Sequence, residues 1–357
     1  MMKPTLSMSS LHKPASSARG FSLVELMVAL AIGMIILAAL AGALIANSQS
    51  MTSNEKTSEL QTNGRYALDL MKDELRSAGF RGYTWADPSV PTTPLTSPSA
   101  PADECLEGGV AAGGFISNLR QRVWGVNTTS AASNPFSANC ITAANFSKNG
   151  DVLVIRGLSP IPVDPATVTL KSGRFYFRST YGAGEVYRGG AVGVCGALVP
   201  TPAPPWDKPP CIPGTRGKDL NDFELKTVVY YLSPYTVAGE NPQVPALYRV
   251  VLGGNGDMSS ELVVSGVEYF QVQYGRTLTD LTTQYFNADA ISGKSGDTAV
   301  TEWDDVSSVR LWILVRNKTA ETGYTNTNTY KMGDAAAFTP NDSFRRELYT
   351  AVVDLRN

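Results

Sequence analysis

Arg19 Gly20 Phe21 Ser22 Leu23 Val24 Glu25 Leu26, followed by apolar sequence to Ala46, is the stretch that decides the fold. Between Leu26 and Ala46 there is no charged residue. At about 1.5 Å rise per residue, a helix of that length crosses the roughly 30 Å hydrocarbon core of a bilayer. Glu25 lies about one turn inside this helix. An acid at such a depth costs roughly 2.5 to 3.5 kcal/mol on insertion scales, so it calls for a partner or a task.

The order basic residue, glycine, Phe, Ser, Leu, aliphatic and Glu resembles the class III signal of type IV prepilins. The resemblance implies that a dedicated prepilin peptidase cuts between Gly20 and Phe21 and N-methylates Phe21. It also implies that Glu25 acts in assembly, as the glutamate at the fifth mature position. Two other readings fit less well. A secretory signal peptide has its cleavage site after the apolar run, where Ala41 Gly42 Ala43 imitates one. A plain anchor needs neither Gly20 nor an acid within the span.

The leader, 1–20, carries Lys3, Lys13 and Arg19 and no acid, so its removal takes the net charge from −2 to −5. A mildly acidic chain without a basic run is a poor nucleic-acid binder. His12, the only histidine, also lies in the leader, which leaves the mature chain without histidine-based triads, imidazole metal sites or histidine acid–base chemistry. The sequence has no Walker loop, dinucleotide glycine fingerprint or GxSxG element. No cofactor is implied.

Basic residues ahead of the span orient the remainder outside the cytoplasm, where disulfides form. Cys105, Cys140, Cys195 and Cys211 all lie there. Three connectivities are open, and neighbours in the chain, Cys105 with Cys140 and Cys195 with Cys211, are preferred; four reduced thiols are the alternative. No pair has the short spacing of a zinc knuckle.

No proline interrupts the chain between Phe21 and Arg81, and Leu60, Ala67, Met71, Leu75 and Ala78 recur at helical spacing. The spacing predicts one helix of about sixty residues, roughly 90 Å long. Its membrane half is 21–46, and its amphipathic continuation, 47–82, packs an apolar stripe on a soluble domain, with Arg65, Lys72 and Arg76 facing solvent. Gly79 and Gly82 are stop signals. Gly33 and Gly42 either weaken the membrane half or permit close helix contact.

Residues 83–357 read as an extracytoplasmic, β-rich globular domain. Trp85 to Ala102 and Val199 to Pro213 are rich in proline and read as exposed connectors. Gly108 to Asn149, dominated by small residues, reads as loop or lightly structured chain, Phe115 to Trp124 included. Strand signals fall at Val152 to Ile155, Arg174 to Arg178, Leu225 to Leu232, Ala246 to Leu252, Glu261 to Tyr274 and Glu347 to Leu355. Val309, Leu311, Ile313 and Val315 alternate with Arg310, Trp312, Leu314 and Arg316, as in a half-covered antiparallel strand. Gly275 to Asp305 and Asn317 to Phe344 read as loops. Glu302, Asp304 and Asp305 lack the spaced ligands of a calcium loop and read as a solvated turn. Aromatic pairs such as Tyr230 and Tyr231 serve core packing and cross-strand contact.

One long helix followed only by strands implies an α+β fold, the helix covering an antiparallel sheet. Asn63 to Leu70, Leu75 to Gly82, Val309 to Asn317, and Arg345 to Glu347 through Leu355 to Asn357 resemble the PilW family of minor pilins. The middle, roughly Trp85 to Asn221, matches nothing recognisable. The resemblance implies a non-catalytic minor pilin that helps initiate type IV pilus assembly at or near the tip. Its partners would be prepilin peptidase, other minor pilins, the major pilin and the inner-membrane assembly platform. It would be a single-pass inner-membrane protein with a periplasmic C-terminal domain, and then part of the pilus surface. The alternatives are a minor pseudopilin of a type II secretion system, or an adhesin that binds through the unmatched middle.

Overall fold

A computed structural model describes residues 20–82, 100–101, 103–128, 134–136, 140–163, 170–179, 184–189, 221–297 and 299–355. The leader ahead of Gly20, most of the Trp85 to Ala102 connector, the Val199 to Pro213 patch, Cys195, Cys211 and the last two residues lie outside these. The chain divides into two compact units, Met1–Glu55 and Lys56–Asn357. Helix α1 (Leu23–Ser77) begins in the first and ends in the second.

In the second unit, Leu60, Gly64, Ala67, Leu68, Met71 and Leu75 form the buried face of α1. The stripe follows the 3.6-residue period, and burying it stabilises the helix more than propensity does. Gly64 permits the closest approach, because a Cβ there would lie 2.1 Å from the Tyr349 ring. The helix stops where Gly79 turns to φ 74° and donates its N–H to Arg156 O at 2.9 Å. A left-handed residue at this position costs glycine little.

Two antiparallel sheets follow. The seven-stranded sheet comprises β1 (Val123–Val126), β2 (Val152–Val163), β3 (Phe175–Ser179), β4 (Gly184–Arg188), β5 (Asn221–Ser233), β6 (Ala246–Leu252) and β7 (Met258–Ser265). Its path runs β1-β2-β5-β3-β4, and β6 joins it through β5 and carries β7. The four-stranded sheet has the order β11-β10-β8-β9, from β8 (Val267–Thr277), β9 (Thr283–Phe286), β10 (Val306–Arg316) and β11 (Arg346–Asp354). The fold is therefore α+β, with two sheets rather than one.

Several elements differ from the reading above for identifiable reasons. The run Glu261 to Tyr274 is not one strand. Gly266, at φ 86°, separates β7 from β8 and sends them to different sheets. A Cβ on Gly266 would meet Arg316 O at 2.6 Å. Phe115 to Trp124 is core rather than lightly structured chain: Phe115, Ile116, Leu119, Val123 and Trp124 are buried, within a short helix α2 (Gly114–Ser117), β1 and the turn between them. Gly275 to Asp305 contains β9 and two 3₁₀ turns.

Asn317 to Phe344 also does more than connect. Tyr330 and Met332 pack with Leu314 and with half-buried Tyr269, Trp312, Phe338 and Leu348, roofing the outer face of the smaller sheet. The inner positions Val309, Leu311, Ile313 and Val315 are buried as the alternation requires, and the roof buries Leu314 as well. Asp304 is not a solvated side chain. It pairs with Arg120 at 3.2 Å and caps the turn beginning at Thr301, while Glu302 pairs with Arg276 at 2.9 Å.

Candidate functional site

The segment beginning at Gly20 carries the sequence motif and has the simplest geometry in the chain. Gly20 and Phe21 precede the helix and are exposed, and among the described residues a Cβ on Gly20 would touch nothing within 4 Å. Ser22 sits at the N-cap. Its hydroxyl accepts the Glu25 N–H at 3.1 Å, and the Glu25 carboxylate accepts the Ser22 N–H at 3.0 Å. Ser22 O also accepts the first helical N–H, from Leu26, at 3.1 Å. This reciprocal box satisfies two backbone donors that a helix terminus otherwise leaves open.

Glu25 therefore has a partner within its own turn, which the sequence reading did not identify. The signal was present as Ser-x-x-Glu ahead of an apolar run. The carboxylate is also placed in the first helical turn, where negative charge is favoured by the helix dipole. Beyond it, Leu26, Met27, Val28, Leu30, Ile32, Met34, Ile35, Ile36, Leu37, Leu40, Leu44 and Ile45 are all more than half exposed. Helix α1 is long and apolar enough to cross a membrane. Among the described residues, a Cβ at Gly33 or Gly42 would meet no atom within 4 Å beyond the helix's own backbone.

Cys105 and Cys140 are joined by a disulfide, and both are buried. Both cysteines belong to the same buried core as Phe115, Phe136, Trp124 and Trp303, in which Phe136 packs on Phe115 and Trp124, and Trp124 on Trp303. Among the described residues, no group of three or more His, Cys, Asp or Glu side chains is placed to hold a metal ion.

Three polar centres, one half-buried and two buried, weld the second unit together, and none was marked in the sequence reading. Glu74 on α1 accepts the Tyr230 hydroxyl from β5 and Arg249 Nη1 from β6 at 2.6 Å. Burial pushes the Glu74 carboxyl up against the opposing pull of Tyr230 and Arg249. Arg156 on β2 is fully buried over the Phe115 ring and donates to Phe115 O, Gln121 O at 3.1 Å and Ser295 Oγ at 2.6 Å. Desolvation lowers the Arg156 guanidinium to about 9, partly offset by the Glu104 charge. Asp151 joins the sheets: its carboxylate accepts the N–H groups of Thr128 at 3.1 Å and of Val272, on β8, at 2.8 Å. Burial raises the Asp151 carboxyl to about 7, against those hydrogen bonds and with help from the Asp334 charge. These groups take part in internal hydrogen bonds, which accounts for them as structural centres.

Residues 229–357 match the family described as type IV pilus-assembly protein W, PilW, and residues 15–41 match the prokaryotic N-terminal methylation motif. Among solved structures the chain is similar to a type IV-like pilin from Thermus thermophilus at 16% identity and a TM-score of 0.25, covering 59% of this chain and 80% of that one. No curated protein matches.

Proposed function

We propose, of a chain that is a type IV prepilin-like protein with a PilW domain, that it is a minor pilin which helps initiate pilus assembly and resides at or near the tip. The observation that carries this reading is the motif Gly20-Phe21-Ser22-Leu23-Val24-Glu25 at the head of an exposed apolar helix, in one chain with a PilW domain. The role is structural and non-catalytic. Before assembly the chain spans the inner membrane once, with its C-terminal domain in the periplasm.

Prepilin peptidase cuts between Gly20 and Phe21 and methylates Phe21. A residue with no side chain suits a narrow subsite at the membrane boundary, and Gly20 is exposed. In the membrane Glu25 is held by Ser22. On entry into a filament core of packed helices, its charge needs a cation, and the amine exposed on Phe21, in the same or an adjoining subunit, supplies one. Removing one member of such a pair leaves the other buried and uncompensated, at about 3 to 5 kcal/mol. The partners are other minor pilins, the major pilin and the inner-membrane assembly platform.

The test is N-terminal mass spectrometry of the membrane-embedded protein, with Gly20→Leu as the variant. The wild type should begin at methylated Phe21, and the variant should retain its leader. A mature N-terminus at another position would overturn the reading.

A further inference from the structure

The outer face of the smaller sheet carries three stacked side chains from two of its strands. Tyr285 on β9 lies over Gly275 of β8, where a Cβ would be 3.2 Å from its ring, and its hydroxyl accepts a hydrogen bond from Ser308 Oγ at 3.1 Å. Arg310 on β10 reaches across β8, its guanidinium carbon 3.9 Å from the centre of the Tyr285 ring and 5.8 Å from that of Trp312. Stacking of this kind fixes the plane of the guanidinium and leaves its edge of N–H donors unused.

Among the described residues, half-buried Arg310 makes no hydrogen bond or ion pair. The other arginines of this sheet all meet carboxylates: Arg276 pairs with Glu302 at 2.9 Å, Arg316 with Glu268 at 3.5 Å, and Arg346 with Glu268 and Asp342 at 2.6 Å each. Asp354 stands on the same face, across from Ser308, but on the β11 side, and Arg310 leans the other way, toward β9. Thr350 and Val352, directly across from Trp312 and Arg310, are exposed, Val352 at 52%.

A planar cation already held in place, with its fork of donors open, accepts a carboxylate bidentately at little further cost in side-chain order. Two features favour a protein carboxylate over an acidic sugar. The aromatic faces on which a sugar ring would stack are taken up by Arg310 itself, and the exposed neighbour, Val352, offers apolar contact rather than a hydrogen bond. Tyr, Arg and Trp are also the side chains that dominate the centres of protein interfaces. We propose that Tyr285, Arg310 and Trp312 form the centre of a docking surface for a second protein, which places an aspartate or glutamate carboxylate on Arg310 and an apolar side chain on Val352. The inner face of the same sheet is the one that meets α1, through Tyr349 and Gly64, so this partner does not compete with the helix.

The test uses the full chain in membranes of the strain that makes it, whether or not the chain enters a filament. A photo-cross-linking residue, p-benzoylphenylalanine, takes the place of exposed Thr283 on β9 or Val352 on β11, which flank the stack, and of Leu262 on β7 as a control. Illumination should join both flanking positions, and not position 262, to the same protein, at a peptide that contains an aspartate or glutamate. Arg310→Gln should lower this adduct about tenfold, as loss of charge-assisted hydrogen bonds implies, while the chain keeps wild-type protease resistance. Changing the partner's acid to arginine should lower it likewise, and Arg310→Asp combined with that change should restore it. Four results would overturn the proposal: no protein adduct, an adduct unaffected by Arg310→Gln, a reversed charge pair that fails to recover it, or lost protease resistance in Arg310→Gln, which would make the stack a clasp of the fold.

Discussion

Ser22 and Glu25 cap each other: the Ser22 hydroxyl accepts the Glu25 N–H at 3.1 Å, and the Glu25 carboxylate accepts the Ser22 N–H at 3.0 Å. The acid at the head of this long apolar helix thus has hydrogen-bond partners within its own turn. Ser22→Ala should fray the first turn, with loss of roughly 0.5 to 2 kcal/mol of local helix stability, and Ser22→Thr should retain most of it. Amide hydrogen exchange at Glu25 in micelles reads this directly. Unchanged protection in Ser22→Ala would show that the box contributes nothing.

Gly64 and Tyr349 make an opposite-sign prediction for a helix. Gly→Ala within a helix ordinarily stabilises by about 1 kcal/mol. At Gly64 the new Cβ would lie 2.1 Å from the ring of Tyr349, whose hydroxyl is held by Leu60 O at 3.4 Å. Displacing that ring should outweigh propensity, with a net loss of about 1 to 3 kcal/mol. Denaturant unfolding of Gly64→Ala measures it, and Tyr349→Leu in the same chain should recover part of the loss. Stabilisation by Gly64→Ala alone would contradict the packing.

Asp151 predicts how stability depends on pH. Its folded value of about 7 lies above its ordinary 3.8, so between these values the folded state holds the proton more tightly than the unfolded state. Stability from this group is fully present below about pH 4 and is lost as pH rises through 7, by up to about 4 kcal/mol. Glu74 and Glu104, also raised by burial, act in the same direction. Melting temperature should fall from pH 5 to pH 8, and Asp151→Asn should flatten that slope while lowering the melting temperature at pH 5. Equal slopes in the two proteins would remove Asp151 from the account.

What the sequence discloses follows from which interactions are local. The α1 stripe of Leu60, Ala67, Met71 and Leu75 is visible because periodicity records which face is buried, and the alternation from Val309 to Val315 works the same way. The split at Gly266 was missed because apolar residues continue across it, and only its close approach to Arg316 O forces the break. Phe115 to Trp124 was misread because its small-residue surroundings dilute the apolar signal, whereas the contacts that hold it come from distant chain, such as Arg156, which bonds Phe115 O and Gln121 O. Leu314 sits on the polar phase of its strand, and the roof that covers it, Tyr330 and Met332, comes from chain with no periodicity. At the N-terminal site, Gly20, Phe21 and Glu25 were legible from spacing alone. Ser22 carried the same kind of signal and went unread.

In the function proposed above, Glu25 docks this chain into a pilus after cleavage at Gly20. The most direct measurement compares wild type with Glu25→Leu in a strain lacking the native gene, following N-terminal processing, membrane level and recovery in sheared filaments separately. Wild type should appear in the filament fraction beginning at methylated Phe21. Glu25→Leu should be processed and reach the membrane at a normal level, yet be lost from the filaments. Recovery of Glu25→Leu in filaments at the wild-type level would contradict the account.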